Sequence, residues 1–88
     1  MNDTQLAHYR QARAENPGRL VLFRLGDYYE LFGDDARTAA KALGLTLTIR
    51  DGEALAGFPH THLEAYLRRL LQCGHKIAVC DRAVEGSL

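Results

Sequence analysis

RLGDYYELFGDD, residues 24–35, is the stretch on which the fold turns. Gly26-Asp27 is a turn signal, and Tyr28–Phe32 after it has the composition and length of a β-strand. The apolar run before the turn, Leu20–Leu25, is also of strand length, so the two read as a hairpin. On a strand, neighbouring side chains oppose and alternate ones share a face. Tyr28 and Glu30 therefore point one way and Tyr29 and Leu31 the other, and the leucine assigns Tyr29 to the core. Tyr28 is left beside a carboxylate on the open face, next to a tight turn. Gly33-Asp34-Asp35 closes the stretch by opening a helix, with Asp34 as its expected cap and both acids at the positive end of the dipole.

Outward from this stretch the other elements follow. Upstream, Thr4–Glu15 reads as a helix with Leu6, Tyr9 and Ala12-Arg13 on one side, stopped by Asn16-Pro17-Gly18. Downstream, a helix over Ala36–Leu43 ends at Gly44. Leu45–Arg50 alternates apolar and polar residues, which predicts a half-buried strand. Asp51-Gly52-Glu53 is a turn, leading to an irregular Ala-Gly-Phe-Pro segment. Thr61 is placed to cap a third helix with Glu64 at the capping-box position, and Leu63, Tyr66, Leu67, Leu70 and Leu71 form its apolar stripe. Gly74 ends that helix, and His75–Cys80 is a last strand. The order αββαβαβ predicts an α/β fold, a mixed β-sheet packed with about three helices.

A chain of 88 residues has room for one domain, residues 1–88, of a size that often works as a module in something larger. Its 47% hydrophobic and 25% charged content is that of a folded chain rather than a disordered one. Basic and acidic residues number 11 each, so the net charge is zero. A free-standing nucleic-acid binder carries a basic excess, because phosphate contacts supply most of its affinity. Any DNA role is therefore local and specific, with a larger partner supplying the general grip.

Cys73 and Cys80 are too few for a disulfide framework and too far apart for a zinc pair, and they read as buried, reduced thiols. The polar opening MNDTQLAHYRQARAEN is no signal peptide, and no apolar run reaches membrane-spanning length, which predicts a cytoplasmic protein. His60-x-His62 lacks a further ligand at metal spacing and reads as a surface pair; Arg68-Arg69 reads as a solvated helix face. There is no GxxxxGK[ST] phosphate loop, and no paired carboxylates, Ser/His/Asp or Cys/His set stand at catalytic spacing. No enzymatic activity is expected of these residues.

Tyr28 and Glu30 admit two readings. In one, an amphipathic ring lies on the sheet and a carboxylate is solvated beside it. In the other, an aromatic wedge stands next to a hydrogen-bonding acid, a combination suited to a base: the ring stacks or intrudes between base steps, and the acid trades affinity for discrimination. Arg50 is either a contact to the DNA backbone or a solvated strand-end charge, and Arg24 has a weaker claim. Leu55, with Ala54 and Ala56, forms a small-residue loop that either approaches a groove or folds over the core.

The segments LFRLGDYYELFGDDARTAAKALGLTLTIR (residues 22–50 with Leu22 onward) and ALAGFPHTHLEAYLRRLLQCGHKIAVCD (residues 54–81) resemble the N-terminal mismatch-recognition domain of the DNA mismatch-repair MutS family. The likeness is nearly collinear from about Leu6 to Asp81. It is carried in order by Gly-Asp-aromatic-Tyr-Glu-Leu-Phe, Asp-Asp-Ala, Leu-Thr-x-Arg, Ala-Gly-x-Pro and Tyr-Leu. The family motif is Phe-Tyr-Glu, whose phenylalanine enters the minor groove and stacks on a mispaired base while the glutamate hydrogen-bonds that base. By position the resemblance makes Tyr28 the wedge and Glu30 the acid, and Arg50 matches the arginine of the family's Leu-Thr-x-Arg; Leu55 stands as a DNA-contacting candidate on its loop alone.

The wedge position here is tyrosine, which keeps the π-face and adds a hydroxyl needing a partner when buried. After Ala-Gly-x-Pro the family has Tyr-His where this chain has His60-Thr61. The family's next strand, with a Val-Thr-Pro-Gly pattern, does not follow Asp81, so the closing AVEGSL reads as a cut within a longer protein. The resemblance implies double-stranded DNA, mismatched or distorted, as the partner. It also implies a dimeric, multidomain parent whose other domains use ATP and Mg, with no cofactor in this domain. The substituted wedge and zero net charge support an alternative, a divergent MutS-like domain that has lost mismatch reading and serves as an interaction or structural module.

Overall fold

The Gly26-Asp27 turn folds the chain back on itself. β1 (Leu20–Leu25) and β2 (Tyr28–Phe32) pair antiparallel, with Leu25 opposite Tyr28 and Phe23 opposite Glu30. Gly26 enters the turn at φ 60°, a left-handed conformation that glycine adopts without steric cost. This expected hairpin lies inside the sheet of the computed structural model, which describes residues 2–81. The closing AVEGSL segment falls outside the described residues.

Around the hairpin stand α1 (Asp3–Glu15), α2 (Asp34–Leu43), β3 (Thr48–Arg50), β4 (Glu53–Pro59), a 3-10 turn (His60–His62), α3 (Leu63–Gln72) and β5 (Ile77–Cys80). The strands lie in the order β3-β4-β2-β1-β5. Neighbours are antiparallel except β1 and β5, which run parallel with Leu20 opposite Ile77. The fold is α/β with a mixed sheet and three helices among the described residues, as the sequence predicts, with one strand more.

That extra strand is β4, and it corrects the irregular segment expected there. Ala-Leu-Ala-Gly lacks the β-branched and aromatic residues that favour strands, and Pro59 is a strand breaker, so the local signal is weak. Pairing on both sides overrides it: β4 sits between β2 and β3 and buries Ala54, Ala56 and Phe58, with Pro59 at its last position. Ala54 and Ala56 share a core cluster with Ala36, Ala39 and Ala40 of α2, and small residues on both sides let the helix lie close to the sheet.

Each face of the sheet has its own core. Leu20, Leu22, Tyr29, Leu31 and Phe58 pack against α2 and against Leu70 of α3. Fully burying side chains such as Leu22, Leu31, Phe58 and Leu70 contributes about 1.5–3 kcal/mol each. On the opposite face Ala12 of α1 covers Val21 and Phe23. Tyr9 meets Phe23 and Phe32 edge-on at 5.6 and 4.7 Å between ring centres. Burial pushes the Tyr9 phenol up to about 12, reinforced by Asp35 and Glu53 and offset by Arg13. The apolar partners of α1 come from β1, β5 and the far end of β2, so Tyr28, β3 and the outer side of β4 stay uncovered on this face.

The structure corrects several local expectations. Asp34 does not cap α2: Gly33 holds the cap position with no side-chain bond, and Asp35 turns inward instead. Thr61 falls within the 3-10 turn, so α3 begins two residues later without a side-chain cap. The strand expected over Leu45–Arg50 shortens to Thr48–Arg50 and lies exposed at the sheet edge, Ile49 being 58% accessible, because no helix reaches over it. In α3, Leu70 is buried but Leu71 stands out at 53% exposure. Cys73, placed just past the end of α3, is exposed and Cys80 is half-buried, so the two cysteines form no disulfide and neither is fully buried as the sequence suggests.

Candidate nucleic-acid interface

Strand alternation in β2 is observed as the sequence implies: Tyr28 is 47% exposed and Tyr29 only 4%. Glu30, two residues beyond Tyr28 on the same face, is half-buried. The neighbouring strands present matching residues to that face. Gly57 of β4 lies opposite Glu30 and Leu55 opposite Phe32, while Thr48 of β3 lies opposite Leu55 and Arg50 opposite Glu53. The β3–β4 turn that sets this register has two left-handed residues, Asp51 at φ 51° and Gly52 at φ 78°, the signature of a tight two-residue hairpin.

Tyr28, Glu30, Arg50 and Leu55, separated by up to 27 positions of sequence, thus line one open depression of about 300 Å³. Thr46, Thr48, Ala56 and Gly57 complete its lining. A second cleft of about 360 Å³ lies between α1 and the β3–β4 turn, shares Arg50 and Leu55, and is walled by Leu6, Tyr9 and Phe32. Burial pushes the Glu30 carboxyl above its ordinary pKa, while the charge of Arg50 pulls it partly back. The face therefore combines a free aromatic ring, a partly desolvated acid, a cation and an aliphatic side chain. That chemistry suits a flat ligand with hydrogen-bonding edges and an anionic flank.

The weaker candidates separate from this group. Arg24 lies across from Tyr29, with its guanidinium 5.6 Å from the centre of that ring and 4.0 Å from Asp81. Ala54 is buried in the core cluster with α2, and the expected loop around Leu55 is the strand β4. His62 packs edge-on to Tyr66 at 5.9 Å. Among the described residues no three His, Cys, Asp or Glu side chains gather as metal ligands, and no helix is long and apolar enough to cross a membrane. Sequence reasoning missed Thr46, Thr48 and Gly57. Thr48 shares the face of Arg50 by alternation, a signal available in the sequence, whereas Gly57 enters only through the β2–β4 register.

A mixed-sheet α/β domain, helices on both faces and an aromatic–acid patch left open on one, is the class these features define. Residues 4–87 match the family described as MutS domain I. The DNA mismatch repair protein MutS of Cytophaga hutchinsonii is 46% identical over 82 residues, covering 88% of this chain and 10% of that protein. The same-named protein of Rhodopirellula baltica is 46% identical over 85 residues (91% and 10%), and that of Thermotoga neapolitana 39% over 82 residues (93% and 10%). The chain belongs to the MutS domain I family. It spans about a tenth of the length of the curated relatives it matches.

Proposed function

We propose that this chain is the DNA-reading domain of a mismatch-repair protein, probing mispaired or distorted duplex DNA from the minor groove. Tyr28 stacks on a base, Glu30 hydrogen-bonds its edge, Arg50 meets a phosphate and Leu55 lies against the groove wall. The observation that carries this reading is the gathering of these four side chains around one uncovered depression. Glu30 repels phosphates and is tolerated only where it meets a base donor, so it supplies discrimination rather than affinity. The longer protein, dimeric and ATP-dependent, supplies the general grip on the duplex. The 88 residues contain no phosphate loop to hold ATP and Mg, and no step of the reading passes through them.

A second reading, an interaction module that keeps the fold without reading mismatches, rests on tyrosine at the wedge position and on balanced charge. Titrating the longer protein against matched, mismatched and branched duplexes separates the two. In the first reading Tyr28→Ala removes most of the mismatch preference, a loss of about 1–3 kcal/mol on the usual stacking scale. Tyr28→Phe keeps the stack and sheds the hydroxyl, so the preference holds or improves. Glu30→Ala raises affinity for matched duplex while preference falls. Equal binding of matched and mismatched duplex by wild type and all three folded variants overturns the reading.

A further inference from the structure

Glu30 lies down across Gly57. The two are cross-strand partners, and a β-carbon placed on Gly57 would stand 2.8 Å from Oε1 of Glu30 and 2.9 Å from its carboxyl carbon. The carboxyl fills the space that any other residue at position 57 would need. Gly57 is not among the glycines with positive φ, so its backbone conformation does not call for glycine. A β-carbon there would also meet the Tyr29 carbonyl oxygen at 2.9 Å, so the β2–β4 ladder shares the same requirement for room.

We propose that Gly57 is a positioning residue for Glu30: its missing side chain is the seat that holds the carboxyl flat on the sheet and sets the depth at which the acid meets a base. The inference rests on the DNA-reading role given to Glu30 above. The seat accounts for the burial of the acid and for the desolvation that follows from it. Glu30 is half-buried although it occupies the uncovered face, and its carboxyl is partly desolvated although Arg50 reaches the same depression. Tyr28 and Arg50 are the other titratable groups lining that depression. A methyl at position 57 lifts the carboxyl toward solvent, where its charge is better hydrated and its distance to a base is altered.

A carboxyl-detected NMR titration of the 88-residue chain tests the seat without DNA. In wild type the Glu30 midpoint lies above the ordinary 4.5, and the α-proton signals of Gly57 shift with the same midpoint. Gly57→Ala returns the Glu30 midpoint toward 4.5. Gly57 signals that ignore the Glu30 titration, or an unchanged midpoint in a folded Gly57→Ala variant, overturn the proposal. Should that variant not fold, the wild-type signals decide alone.

Mismatch preference of the longer protein then tests the consequence. Gly57→Ala lowers it by at least about fivefold in the Glu30 background and by clearly less once Glu30→Ala is present, where only the contact with the Tyr29 carbonyl remains. An equal loss in both backgrounds means a merely structural glycine and overturns the positioning role. If Glu30→Ala leaves the preference intact, the DNA reading fails, and the titration still decides whether Gly57 seats the carboxyl.

Discussion

Glu30 sits where its own ionisation is unwelcome. Half-burial raises its pKa in the folded chain, and Arg50 recovers only part of the loss. Below the unfolded value both states are protonated and the stability contribution is complete; as pH rises through the folded value that contribution is lost. At neutral pH the charged acid therefore costs stability that a neutral residue would spare. Glu30→Gln is expected to unfold at higher urea concentration than wild type at pH 7, with the difference closing below about pH 4. A wild type as stable as the variant at pH 7 would show that Arg50 fully compensates the burial. A fully solvated surface acid would carry no such penalty.

At the scale of elements, the start of α2 ties the two halves of the fold together. Asp35, buried within the first turn, accepts a hydrogen bond from the Val21 backbone at 3.1 Å and an ion-paired bond from Arg13 of α1. One carboxylate thus joins α2, β1 and α1, while Asp34 points to solvent. Val21 is fully buried, so Asp35→Ala leaves its N–H without this partner and is expected to cost about 2–3 kcal/mol in urea unfolding. Asp35→Asn keeps an acceptor and should lose less. Arg13→Ala should lose least, because that side chain is 44% exposed and its pairing is screened. A loss for Arg13→Ala equal to that for Asp35→Ala would transfer the weight from the backbone bond to the ion pair.

For the whole molecule, charge and size set what this chain does alone. Its longest dimension is 35 Å, about one turn of B-DNA, and its basic and acidic residues balance. Few phosphates can be neutralised over that span, so little counterion-release affinity is available. The isolated 88 residues are expected to bind duplex DNA weakly or not at all at physiological salt, measured by fluorescence anisotropy. A sub-micromolar dissociation constant would contradict this and would give the domain a grip of its own. Weak binding alone is consistent with a chain that spans about a tenth of its relatives' length.

What the sequence determined by itself was the local and periodic part of the protein. Alternation in Tyr28–Phe32 placed Tyr28 and Glu30 on one face and Tyr29 in the core, and Gly26 and Gly44 marked where β1 and α2 end. These are properties of near neighbours, set by backbone geometry and side-chain period. Tertiary structure alone decided β4, whose small residues become a strand only between two partners, and the exposure of Ile49, which alternates like a buried residue but lies on an edge. It also chose Asp35 over Asp34, brought Arg50 and Leu55 beside Glu30, and put Gly57 beneath the carboxyl. Each of those depends on strand register and on which surfaces a helix covers, long-range pairings that no local window of sequence contains.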